Sequence, residues 1–135
     1  MIKQIKLILL LTMNLALTSC TSSISIRNYI DRNSPFILTI NSIDTKTGFT
    51  QSTQHTIPVN SNKFVKLMNW FLNNENGWQQ TPASFVTNIS VTQRTFRLLS
   101  TNDKNGVVIS FVDKDKNSKQ YTKCIGKGEL DFLLK

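Results

Sequence analysis

Ser61-Asn62-Lys63-Phe64-Val65-Lys66-Leu67-Met68-Asn69-Trp70-Phe71-Leu72 is the stretch that decides the fold. Phe64, Leu67, Met68, Phe71 and Leu72 recur at the spacing that lines one face of a helix, with Val65 and Trp70 at its flanks. Ser61 or Asn60 can cap the first turn, because a short polar side chain accepts a hydrogen bond from an otherwise unpaired N–H there. Gly77 follows the exit Asn73-Asn74-Glu75-Asn76, as expected where a helix stops. Burying such a face contributes on the order of 1.5–3 kcal/mol per large side chain. The helix therefore needs a partner layer, and the rest of the chain supplies strands.

Upstream, Asp31-Arg32-Asn33-Ser34-Pro35 reads as a turn after Ile24, Ile26, Tyr29 and Ile30. Phe36-Ile37-Leu38-Thr39-Ile40 has the β-branched and aromatic content of a strand. Thr45-Lys46-Thr47-Gly48 reads as a hairpin turn, and 49–57 as an exposed, Thr/Gln-rich edge strand that Pro58 limits. Downstream of Trp78 and the Thr81-Pro82 turn, strands are expected over 85–92, 95–99, 106–112 and 120–125. Asn105-Gly106 favours a hairpin turn. The segment 129–135 is a short C-terminal helix or strand. The fold class is α+β: an antiparallel β-meander with one main amphipathic helix and a short C-terminal element.

The N-terminus carries a different signal. Lys3 and Lys6 precede an apolar run from Leu7 to Leu17. Its length suits the h-region of a secretion signal and is too short for a bilayer span of roughly 20 residues. Leu17-Thr18-Ser19-Cys20 then resembles the lipobox of bacterial lipoproteins. The resemblance implies cleavage after Ser19, a thioether-linked diacylglycerol on Cys20, and acylation of the new amine. Two or three acyl chains give stable anchoring. Thr21, rather than Asp, follows Cys20, which implies the periplasmic face of the outer membrane where the cell has two membranes. The expected organisation is a signal peptide over 1–19, a lipidated cysteine with a short tether over 20–23, and one domain over 24–135.

Cleavage leaves 116 of the 135 residues. It removes two of sixteen basic residues, so fourteen face eight acidic ones, a net of +6. Such a surface suits an acidic protein, anionic lipid or cell-wall polymer. Export excludes nucleic acid as a partner. With Cys20 lipidated, Cys124 has no partner in the chain and is expected as a buried, inert thiol in a strand.

Chemistry is sparse. His55 is the one histidine and has no ligand or acid beside it in sequence. Asp113-x-Asp115-x-Asn117 resembles the start of a calcium loop. Ser118 replaces the expected glycine, however, and Cys124 falls where the bidentate carboxylate belongs. A hairpin turn is the better reading. No catalytic residue, metal site or cofactor is expected. Trp78, in a polar loop, is expected either as a lid over the core or as an exposed anchor. With Tyr121 it is a candidate binding residue, since such rings are enriched at interface hot spots. Over 57–134 the chain is similar in character to small periplasmic immunity lipoproteins, which implies a toxin of interbacterial competition as partner. The alternative expectation is an envelope-maintenance lipoprotein that binds cell-wall or assembly components.

Overall fold

In a computed structural model of the chain, helix α1 spans Asn62–Asn73. The structure describes residues 21–85, 87–100 and 105–135; the expected signal peptide over 1–19 and Cys20 lie outside the described residues. The Ser61 hydroxyl accepts the Phe64 N–H at 3.2 Å, which is the expected cap. Phe64, Leu67, Met68, Trp70 and Phe71 are buried, while Leu72 is exposed. The buried stripe thus lies toward Trp70 rather than Leu72. Elements from both chain ends pack on that helix: the 3-10 turn Ile26–Asn28 and the 3-10 turn Asp131–Leu133.

Among the described residues seven strands form the other layer: β1 (Phe36–Ile43), β2 (Thr50–Ile57), β3 (Gln79–Gln80), β4 (Ile89–Gln93), β5 (Phe96–Ser100), β6 (Gly106–Val112) and β7 (Ser118–Cys124). Every pair is antiparallel, in the order β2-β1-β4-β5-β6-β7-β3. The α+β class and the β4–β7 meander are as expected, but the meander is not sequential throughout. β1 pairs β4 with α1 and β3 intervening in sequence, and the two-residue β3 closes on β7 at the far edge. The C-terminal element is a single 3-10 turn. The strand expected over 85–92 begins only at Ile89.

That last difference has a geometric cause. Between β3 and β4 the chain must pass β7, β6 and β5, and residues 81–85 and 87–88 are described on that path. Alternation places Phe36, Leu38, Val91, Leu98, Ile109 and Tyr121 on the helix side and Asn41, Val108 and Gln120 on the opposite face. On that opposite face the Gln120 amide donates to the carbonyls of Thr81 and Ala83. The Asn41 amide donates to the carbonyl of Thr87. The segment is therefore a strap across the sheet. Val108 is only 4% exposed although it lies outside the helix-side core.

The turns follow local chemistry. Asp44 accepts the Lys46 and Thr47 N–H groups, and Gly48 takes φ +71° to close the β1–β2 hairpin. Between β6 and β7 the Asp113 carboxylate accepts the Asp115 and Asn117 N–H groups. The calcium-like spacing thus builds a self-capped hairpin loop. Arg94 occupies φ +51° in the two-residue β4–β5 loop.

Candidate functional site

Each sequence candidate has a definite place. Trp78 is fully buried, and its Nε1–H donates to the Asn74 carbonyl at 2.6 Å. It caps the core behind the helix exit and offers no exposed ring to a partner. Tyr121 is half-buried, stacked on Phe111, which also stacks on Tyr29. Trp78 and Tyr121 share the helix-side face near the β3 edge, where Lys123 Nζ sits 5.8 Å from the Trp78 ring and bonds Asn74 Oδ1 at 2.8 Å. These side chains serve the fold first. Cys124 is exposed, contrary to the expected buried thiol. It is the last residue of β7, on the face away from the helix, and its register partner is Gly106, which has no side chain.

Part of the expected tether is docked. Ser22 and Trp78 exchange both backbone hydrogen bonds, at 2.7 and 3.1 Å. Ile24 N–H then bonds the Glu75 carbonyl, while Ser25 and Arg27 engage the Glu75 carboxylate. The described chain thus joins the body from its second residue, alongside β3.

The opposite edge is open. β2 is eight residues long, pairs among the described residues only with β1, and is exposed along all but Ile57. Its register tells which backbone groups are free. Asp44 N–H bonds the Phe49 carbonyl, and Asn41 N–H points to Asn88 on the β4 side. Alternation from those two bonds turns the N–H and C=O groups of Thr50, Ser52, Gln54 and Thr56 away from β1. Natural sheets blunt such edges with lysine, proline, bulges or short strands. Thr50-Gln51-Ser52-Thr53-Gln54-His55-Thr56-Ile57 has none of these.

Apolar surface flanks this ladder. Ile43 is 70% exposed and Phe49 is 74% exposed at the hairpin end. On the helix side a cleft of about 450 Å³ runs between β2 and the C-terminal turn, lined by Leu38, Ile40, His55, Ile57, Leu133 and Leu134. His55 is the one titratable side chain that β2 brings to it. Backbone donors and acceptors in a row, beside a cleft that mixes apolar side chains with Ser61, Lys63 and Lys135, suit an extended peptide segment better than a small molecule. Sequence reasoning placed an edge strand here but not the cleft, because Leu133 and Leu134 arrive from the far end of the chain.

A second cleft, about 730 Å³, lies at the sheet end formed by the 28–31 turn, the β4–β5 loop and the β6–β7 loop. Asp31, Arg94, Asp113, Lys114 and Asp115 give it a polar wall. Asn33 N–H, the Ser34 hydroxyl and Arg94 hold the Asp31 carboxyl below the usual carboxylate range. Among the described residues, no three histidine, cysteine or acidic side chains gather to hold a metal.

No family model, curated protein or solved structure matches this chain.

Proposed function

We propose that this chain is a membrane-anchored, extracytoplasmic binding protein that neutralises a protein toxin of interbacterial competition. The observation that carries the binding reading is the bare edge of β2. Thr50, Ser52, Gln54 and Thr56 offer four N–H and four C=O groups to a partner strand, and Ile43, Phe49 and Leu134 offer apolar contact beside them. Main-chain bonds give such a complex affinity, and the flanking cleft gives it specificity. The anchor is supported by Lys3, Lys6, the Leu7–Leu17 run and Leu17-Thr18-Ser19-Cys20. The toxin as partner rests on the likeness to small immunity lipoproteins.

The test is competition between strains. Deleting the gene should sensitise cells to their unmodified siblings, and the intact chain should restore resistance. Gln54→Pro removes an outward N–H and should fail to restore it at equal protein abundance. A deletion strain that competes normally but has a fragile envelope in monoculture would instead establish envelope maintenance.

A further inference from the structure

The Ser22–Trp78 bridge fixes more than the edge of the sheet. The pairing is antiparallel, so the step back from Ser22 to Thr21 runs beside Gln79. Gln80 is opposite Tyr121, and from there β7 runs back to Ser118 and the Asp113–Asn117 loop. From Ser22 to Thr21 the chain therefore points toward the end of the sheet that holds this loop, the Arg94-Thr95 loop and the Asp31–Ser34 turn. Cys20 is two residues from Ser22, a reach of at most about 7 Å. The β6–β7 hairpin overhangs further: Tyr121 to Ser118 alone is about 10 Å of strand. A lipid held on so short a leash cannot keep the membrane beyond the tip of that hairpin. With the bilayer across this end of the sheet, the hairpin meets the headgroup layer.

The side chains at that end suit the meeting. Arg32, Lys114 and Lys116 are exposed. Two of the three acids there are engaged: Asp31 pairs with Arg94 at 2.9 Å, while Asp113 caps its own loop and lies 3.8 Å from Lys119. The remaining positive charge is complementary to anionic lipid.

We propose that the sheet end bearing Arg32, Arg94, Lys114, Lys116 and Lys119 is the membrane-apposed surface, seated on anionic headgroups by the lipid on Cys20. This rests on the lipidation of Cys20 argued above. It leaves the β1–β2 hairpin turn pointing away from the bilayer, since β1 spans about 27 Å between the two ends.

The experiment uses the acylated full chain in a Cys124→Ser background, reconstituted into phosphatidylcholine vesicles with or without phosphatidylglycerol. A fluorophore is placed by Asn117→Cys in the β6–β7 loop or by Lys46→Cys in the β1–β2 turn. Lipids carrying a nitroxide on the headgroup act as quencher. Quenching at position 117 should exceed that at position 46 several-fold and should increase with phosphatidylglycerol. Adding Lys114→Gln and Lys116→Gln should abolish that increase. Equal quenching at the two positions, or stronger quenching at 46, overturns the proposal. A chain that does not float with the vesicles and shows no acyl mass on its N-terminal peptide overturns the lipidation reading, and this proposal with it.

Discussion

Gln93 and Asp31 hold each other by a reciprocal pair of hydrogen bonds: the Asp31 N–H donates to Gln93 Oε1 at 2.6 Å, and Gln93 Nε2 donates to the Asp31 carbonyl at 2.8 Å. The same amide nitrogen also donates to the Ser34 carbonyl. One buried side chain at the end of β4 thereby fastens the turn that leads into β1. Gln93→Leu keeps the volume and leaves three backbone groups without their partner. The expected loss is about 1–3 kcal/mol, read as a lower urea midpoint with an unchanged slope.

Asp31 gives that turn a pH dependence. Its folded pKa lies below the ordinary value, chiefly through the Asn33 N–H, then the Ser34 hydroxyl, with Arg94 adding to both. Asp44 is lowered in the same way, first by the Lys46 N–H. For a depressed carboxyl the stabilisation is fully present above the unfolded pKa and is lost as pH falls through the folded one. Stability should therefore decline below about pH 4. In Asp31→Asn the decline over that window should be shallower. Parallel curves for the two proteins would remove Asp31 from the account.

The two tryptophans make a matched pair. Trp78 Nε1 donates to a carbonyl, whereas Trp70 Nε1 is buried with no partner among the described residues. Replacing each by Phe removes similar volume but only one hydrogen bond. Trp78→Phe should cost about 1 kcal/mol more than Trp70→Phe. Equal losses in denaturant titrations would count against the Trp78–Asn74 bond.

Proline along β2 should discriminate alternate residues. At Ser52 or Gln54 the N–H points outward, so proline spares the β1 ladder. At Thr53 or His55 it removes a β1–β2 bond and should cost about 1–3 kcal/mol. Thermal midpoints of the four variants should separate into these two classes.

Cys124 should titrate fully with an aromatic disulfide reagent without denaturant, and Cys124→Ser should change stability by under about 0.5 kcal/mol. A thiol that reacts only on unfolding would contradict its exposed place on β7.

What could be read from sequence follows the range of the interactions. Helix α1 and its Ser61 cap were legible because both depend on residues three or four apart. The hairpin loops at Asp44–Gly48 and Asp113–Asn117 were legible for the same reason. β3 is two residues long and carries no periodicity, and the strap between β3 and β4 owes its path to Gln120 and Asn41, which no local pattern connects to it. Trp78 looked like a loop residue because its neighbours are polar. Its ring joins the core and bonds the Asn74 carbonyl, while its backbone pairs with Ser22, which is remote in sequence. The identity of β2 as the free edge was legible in its composition, but which of its N–H groups face outward depends on β1 and β4 together.

The strand order also sets a timetable for folding. The β1–β2, β4–β5, β5–β6 and β6–β7 pairs are each joined by short loops, and hairpins of that kind form within about 1–10 μs. The contacts that unite them are distant: β1 with β4, β3 with β7, and Ser22 with Trp78. Closing long loops costs entropy before any contact offsets it, and chains dominated by such pairings fold on the millisecond-to-second scale. The β1–β2 hairpin and the β4–β7 meander are therefore expected to form before the sheet joins them, and α1 lies on the connection between them. The rate at which α1 brings β1 alongside β4 governs how long the uncapped β1 flank stays exposed to other unfolded chains.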